Sequence, residues 1–434
     1  MLSWSALGAH HAMSVITFLL ALALATSVLR SRRPASTSTA WLLALVLVPY
    51  FSIPLYLVFG ERKLWRARGK APVPPSGPRE KTTEPADLVW LDSPKSAFDA
   101  FLARIAGAER SIHISTFLLG DDPTGRAILA ALAERARANV QVCLLIDGLW
   151  VRSSPHRGLR DLRAAGGEVR VFLPLLHLPW HGRSNVRNHR KIAVFDDDIA
   201  ISGGMNLSDD YLATGAWRDL SIEVSGPTAR ELHRVFEADW RFAGGTPHEL
   251  PDEQCADPSI EVIPTGPDSA GDAWHDALLQ LIFDARSRVW IATPYFVPDE
   301  TLLRALEIAQ RRGVDVRIVV PARSNHWIPD RVAAPLLREL AAVGVTLMRY
   351  QPGMLHAKCL IVDASIAAVG SANFNTRSMF LDFEVMTLLR TAAANARLTR
   401  WFEATFADCA PGPALEGGLL RSIESVLRLL APIS

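Results

Sequence analysis

Cysteine is scarce in this chain, with four residues among 434. Cys143, Cys255, Cys359 and Cys409 are far apart and form no C-x-x-C pair, so neither a zinc cage nor a disulfide framework is signalled, and no cofactor is expected. Net charge of one sign is lacking too: 46 Lys and Arg stand against 45 Asp and Glu, a formal charge of +1. A polyanion partner usually leaves a marked basic excess, so the composition argues against a nucleic-acid substrate. Lysine itself is rare, six residues in all. Apolar residues are not: they make up 49% of the chain, and the mean hydropathy of +0.15 is high for a purely soluble enzyme.

Two uncharged runs account for part of that excess. Residues 13–29 and 40–60 each reach across a hydrocarbon core of about 30 Å, the first only just. The stretch before the first run has no Lys or Arg and a second run follows closely, which argues against a cleaved signal peptide. Residues 1–65 therefore read as a two-helix transmembrane hairpin. Arg30, Arg32 and Arg33 lie in its connection, whereas Arg62, Lys63, Arg66, Arg68 and Lys70 follow it. The heavier cluster is expected to stay cytoplasmic, along with the body of the chain. Residues 66–86 are rich in proline and read as an extended linker.

The phrase His-x-Lys-x4-Asp occurs twice, at His189, Lys191 and Asp196 and at His356, Lys358 and Asp363. Each copy is followed at the same spacing by a glycine turn ending in asparagine, Gly203-Gly204-Met205-Asn206 and Gly370-Ser371-Ala372-Asn373. A His and a Lys two apart on an extended strand share a face, so each pair can present a nucleophile and a fixed positive charge to one phosphate. Two of the six lysines sit here, where a compact ammonium suits phosphate oxygens better than a broad guanidinium.

The surroundings repeat as well. Apolar runs at 111–119, 140–147 and 168–173 are answered by 288–296, 314–321 and 345–350, and the fourth strand of each half carries the motif. Strands alternating with helices predict an α/β fold with a parallel or mixed sheet in each half. The expected lobes are 87–250 and 251–434; halves built alike would pack about a pseudo-two-fold axis with the motifs meeting across it, and two independent tandem domains are the alternative that the repeat alone leaves open. A C-terminal amphipathic helix over 415–430 is expected to cover the core. Trp180 and Trp327 fall near predicted loops, within reach of headgroups.

The phrases RNHRKIAVFDDDIAISGGMN and LHAKCLIVDASIAAVGSANFNTRS resemble the paired motifs of the phospholipase D superfamily. Their surroundings, among them GGMNLSDDYL, TPYFVPDETLLRAL and SANFNTRSMFLDFEV, are similar to the bacterial cardiolipin synthases within it, over nearly the whole chain. The resemblance implies that one His attacks phosphorus to give a phosphohistidine while the other protonates the leaving alcohol and then deprotonates the incoming one. His189 is assigned as nucleophile and His356 as general acid. Lys191 and Lys358 are expected on the non-bridging oxygens, with Asn206, Ser371 and Asn373 as further donors; Gly204 in place of a second Ser leaves the first half one hydroxyl short. Asp219 and Glu384, which follow the two histidines, fit the carboxylates that orient them. Asp196 and Asp363 complete the catalytic motif, in structural or local electrostatic roles, and the run Asp196-Asp197-Asp198 reads as a turn rather than a metal site. Asn375 and Asp382 stand where the family more often has Asp and Asn, which touches acceptor choice.

What the resemblance implies about function is transfer of a phosphatidyl group between two phosphatidylglycerol molecules at the inner membrane of a bacterial cell, against an anionic phospholipid surface. A single chain would complete the site without an oligomer. The alternatives are a phospholipase D that uses water or another alcohol as acceptor, a nuclease, and a lipid-binding scaffold without turnover.

Overall fold

The computed structural model describes residues 4–30, 35–60, 88–174, 185–215, 217–248, 250, 259–269 and 271–412. The expected linker, Trp180, Cys255 and the expected helix over 415–430 lie outside them.

The first apolar run lies in a helix, Trp4–Arg30, whose segment His11–Arg30 is long and apolar enough to cross a membrane. The second run departs from the expected single span. It forms two helices, Ala35–Leu47 and Pro49–Phe59, separated at Val48, whose φ of −136° and ψ of 57° are not helical. Pro49 is the reason: it has no N–H to donate, and it disfavours the helical conformation in the residue before it. Ser52 Oγ donates to the Ala44 and Val48 carbonyls at 2.9 and 3.0 Å, giving polar backbone at the break a partner. Val28, Leu45, Ile53 and Tyr56 form a small buried cluster where the three helices meet, with Trp41 edge-on to Tyr56 at 5.0 Å.

The rest is two mixed sheets of matching design. The first contains β1 (Leu88–Leu91), β2 (Ser111–Thr116), β3 (Gln141–Asp147), β4 (Glu168–Phe172), β5 (Ile192–Phe195), β6 (Ile199–Gly203) and β7 (Ser221–Ser225), in the order β1-β7-β6-β5-β2-β3-β4. The second half supplies β8 (Ile260–Thr265), β9 (Arg288–Ala292), β10 (Phe296–Val297), β11 (Asp315–Pro321), β12 (Thr346–Tyr350), β13 (Cys359–Val362), β14 (Ile366–Gly370), β15 (Phe374–Asn375), β16 (Glu384–Leu389) and β17 (Cys409–Pro411). Its large sheet runs β17-β12-β11-β9-β13-β14-β16-β8, so strand for strand it repeats the first and adds β17 at the edge, while β10 and β15 pair separately. In both sheets three parallel strands adjoin the antiparallel motif hairpin, β5–β6 or β13–β14. The motif strands β5 and β13 are buried along their whole length, which is why they read as continuous apolar runs.

Local signals fix the helices between strands. Ser93 makes a capping box ahead of Pro94–Gly107, and Asp122, Asp299 and Thr391 each cap a following helix through the side chain. Two apolar clusters lie on the outer sides of the sheets, one per half. A third joins the halves: Leu220, Phe236 and Trp240 from the first lie in one buried cluster with Trp290, Val319 and Phe402 from the second.

Phe383 shows how closely the halves depend on each other. It is 1% exposed, packs edge-on to Phe172 of the first half at 4.9 Å, and lies under the Arg190 guanidinium at 5.2 Å. Phe383→Ala should cost about 3–5 kcal/mol, and hydrogen exchange should show protection falling in both sheets together. Loss confined to the second half would mean that the halves unfold independently.

Candidate active site

Each motif His lies three residues before its strand, at the seam between the halves. There the backbone crosses over: Asn188 forms a parallel bridge with Phe383, and Leu355 forms one with Arg218. His189 N donates to Phe383 O at 2.9 Å and Phe383 N to Arg187 O at 2.9 Å; in the mirrored pair, His356 N donates to Arg218 O at 2.7 Å and Arg218 N to Met354 O at 2.9 Å. Glu384 follows Phe383 and Asp219 follows Arg218, so each bridge delivers a carboxylate of one half to the histidine of the other.

The pairing is therefore crossed. His189 Nδ1 lies 2.9 Å from Glu384 Oε1, and His356 Nδ1 lies 2.7 Å from Asp219 Oδ2. Sequence spacing associates each carboxylate with the His upstream in its own half, whereas the fold exchanges them. With Nδ1 engaged by a carboxylate, each ring is left with Nε2 for chemistry. Nε2 of His189 has no hydrogen bond among the described residues, while Nε2 of His356 lies 3.0 Å from Lys358 Nζ. Lys358 Nζ also lies 2.7 Å from His356 Nδ1, and Lys191 Nζ donates to the His189 carbonyl at 2.6 Å.

These groups are almost wholly out of solvent. Burial, reinforced by the two ammonium charges, pushes His189 down to about 4 and His356 to about 3, so both rings are neutral at physiological pH. Burial likewise brings Lys191 down to about 8 and Lys358 to about 7. Burial alone would raise the carboxyls, but His356 and Lys358 hold Asp219 below its ordinary value, and His189 and Lys191 do the same for Glu384. The two imidazoles are neutral, and the charge of the two lysines is balanced by Asp219 and Glu384, which lie behind the rings on their Nδ1 sides.

The glycine turns explain the asymmetry between the copies. Ser371 Oγ donates to Glu384, and Ser378 Oγ donates to the other Glu384 oxygen at 2.7 Å, so Ser371 is engaged with the carboxylate rather than held ready for substrate. A Cβ at Gly204 would lie 2.2 Å from Asp219 Oδ1, so a serine there would collide with the group it should serve. Asn206 and Asn373 are buried, and neither Oδ1 has a hydrogen-bond partner among the described residues.

Asp196 and Asp363 stand elsewhere. Asp196 accepts from the backbone N–H groups of Glu109, Arg110 and Ser111, and Asp363 from those of Arg286, Ser287 and Arg288. Their φ values of 51° place both in the left-handed region at the far ends of the motif hairpins. In these positions they tie each hairpin turn to the start of the neighbouring strand. Asn375 caps the short helix Thr376–Phe380 through Ser378 N at 2.9 Å, and Asp382 pairs with Arg377 at 2.9 Å.

Several neighbours escaped sequence reasoning. Phe117 packs edge-on to His189 at 4.8 Å, while Tyr211 and Trp217 flank His356 at 4.9 and 5.6 Å. Arg187 pairs with Asp147 at 3.3 Å, and Arg190 pairs with Asp239 while its Nε donates to Glu384 O at 2.9 Å. The recurrence of Arg187 and Arg190 around His189 was the available signal, but nothing in it names the acids. An apolar cavity lined by Phe101, Ile114, Met205 and Leu212 reaches Lys191 and Asn206. Trp327 is 67% exposed at the start of the helix Trp327–Ala342.

The family described as "Cardiolipin synthase, PLD-like domain" matches residues 101–240 and 278–406, and "Phospholipase_D-nuclease N-terminal" matches 19–61. Cardiolipin synthase A of Pseudomonas aeruginosa is 31% identical over 92% of this chain and 91% of its own length. The major cardiolipin synthase ClsA of Bacillus subtilis is 30% identical over 96% and 98%. Among solved structures, phosphatidylserine synthase of Haemophilus influenzae superposes with a TM-score of 0.64 at 16% identity, over 81% of this chain and 96% of that one.

Two predictions follow from the electrostatics and the packing. The unfolded chain binds protons on its histidines below pH 6.5 that the folded site refuses down to about 4. Stability should therefore rise with pH across that window, and the slope should be smaller in His189→Gln, as read by thermal midpoints in detergent. Gly204→Ser should displace Asp219 and cost about 10²-fold in turnover; unchanged turnover would show that the site tolerates a side chain there.

Proposed function

Because the chain belongs to the cardiolipin synthase family of phospholipase D-like proteins, we propose that it transfers a phosphatidyl group from one phosphatidylglycerol to the terminal hydroxyl of a second, releasing glycerol. The observation that carries this reading is the crossed pairing of His189 with Glu384 and His356 with Asp219. It gives one chain two oriented imidazoles at a single site.

In this reading His189 Nε2 attacks phosphorus, and the bond to the glycerol oxygen breaks as that oxygen takes a proton from His356. The resulting phosphohistidine is attacked by the terminal hydroxyl of the second lipid, whose proton passes to His356, and the His189–phosphorus bond breaks. The uncommitted Nε2 of His189 favours it as nucleophile. His356, neutral in the resting site, gains its proton when the phosphodiester anion enters and offsets the lysine charges. Lys191 and Lys358 neutralise charge gathered on the non-bridging oxygens in the five-coordinate transition state. The buried asparagines Asn206 and Asn373 are placed in the same reading as further donors to phosphate.

The membrane assignment extends this. His11–Arg30 spans the inner membrane, the broken pair Ala35–Leu47 and Pro49–Phe59 returns across it, and the basic residues beyond keep the body cytoplasmic, beside anionic lipid. Such a tether holds the site near headgroups, and one chain suffices.

Protein in phosphatidylglycerol vesicles, with no nucleotide added, should yield cardiolipin and glycerol by mass spectrometry. Phosphatidic acid as the main product would instead make water the acceptor. With a labelled phosphatidyl donor whose leaving group needs no proton, such as a p-nitrophenyl ester, phosphatidyl label should be trapped covalently on His356→Ala and absent from His189→Ala; the opposite result reverses the assignment.

A further inference from the structure

A second group of reactive side chains lies beneath the helix Pro227–Phe242, on the face of the first sheet that this helix covers. His113 points there from β2 and is 1% exposed, yet neither of its ring nitrogens has a hydrogen-bond partner among the described residues. A neutral imidazole carries one donor and one acceptor, and burying both without partners is unfavourable unless something else engages them. Two other imidazoles converge on it: His233 stacks at 4.4 Å and His248 lies at 5.0 Å between ring centroids. Cys143, buried on β3, completes the approach, and one ligand atom each from His113, Cys143 and His248 lie within 4.8 Å of one another.

The surrounding contacts are those of a built site. Glu237 Oε1 lies 2.7 Å from His248 Nδ1, and its other oxygen accepts from His248 N at 2.9 Å, which fixes that ring and leaves Nε2 as its ligating nitrogen. A carboxylate behind a metal-bound histidine is the usual outer partner of such a ligand. On the other side Asp197 lies 3.1 Å from His233 Nδ1, and this pair also comes within 4.8 Å of a His113 nitrogen. Asp197, expected in a solvated turn, thus faces the cluster.

We propose that His113, Cys143 and His248 bind one zinc-class divalent ion, with the adjoining Asp197–His233 pair supplying a fourth ligand. Two imidazoles and a thiolate select a borderline-soft ion over magnesium or calcium, which prefer all-oxygen sites. The ion ties β2 and β3 to the segment after the helix. The same helix carries Asp239, which accepts from Asn188 Nδ2 at 3.0 Å and pairs with Arg190, the two residues on either side of His189. Its role is to hold that helix, and it stands apart from the phosphate chemistry.

The test uses the full chain in detergent without a histidine tag, stripped with a chelator and titrated with Co²⁺. A thiolate-to-cobalt charge-transfer band should grow and saturate at one ion per chain. Cys143→Ser should lose the band, His248→Gln should weaken binding at least tenfold, and His189→Ala should keep both band and stoichiometry. Zn²⁺ should raise the thermal midpoint of the wild type and leave Cys143→Ser unmoved. A wild type that binds no Co²⁺, or a band that persists in Cys143→Ser, overturns the proposal, and the wild-type titration decides the matter even if a variant misfolds.

Discussion

Two short main-chain bridges, Asn188 to Phe383 and Leu355 to Arg218, govern the rest of the molecule. Each joins the residue before a motif histidine to the residue before the other half's carboxylate, so the backbone itself decides which acid meets which imidazole. Neither half can complete its own histidine. The shared apolar cluster between the sheets and the buried Arg187 and Arg190 pairs hold those bridges in register. The arrangement comes at a cost: two lysines, two carboxylates and two histidines are removed from water, and burial depresses all four basic groups. A large common core is what makes such a concentration of buried charge tolerable, and a bound phosphodiester would relieve part of the repulsion.

The duplicated design is not strictly symmetric. Glu384 is held by His189, Ser371 and Ser378, whereas Asp219 is held by His356 and by Leu220 N at 2.7 Å. The longer acid accommodates a serine on its glycine turn; the shorter one sits where only Gly204 leaves room. Extra donors on Glu384 share it between His189 and two hydroxyls, while Asp219 serves His356 alone among the side chains; burial beside Lys358 nevertheless holds His356 at about 3, below His189 at about 4.

The parts legible in the sequence were those written in short spacings. His189, Lys191, His356 and Lys358 announce themselves because a strand fixes their mutual direction, and the order of strands could be read because apolar runs recur in the same sequence in both halves. The crossed partners could not be read: 195 residues separate His189 from Glu384 and 137 separate His356 from Asp219. Only the packing of one lobe on the other selects them. Asp196 and Asp363 share the motif spacing for a different reason, since the hairpin turn needs a residue that tolerates positive φ and accepts from the adjoining backbone. The second apolar run reads as one helix because hydropathy averages over Pro49, whose effect is on backbone geometry rather than on polarity. His113, Cys143 and His248 come from two strands and a loop, and no spacing rule links them.

The crossed pairing can be read directly by ¹⁵N NMR of histidine side chains in Glu384→Gln and Asp219→Asn. Glu384→Gln should move the Nδ1 resonance of His189 far more than that of His356, and Asp219→Asn should do the reverse. If Asp219→Asn moved His189 and Glu384→Gln moved His356, each half would hold its own histidine, and the account of one site built by exchange between the halves would be wrong.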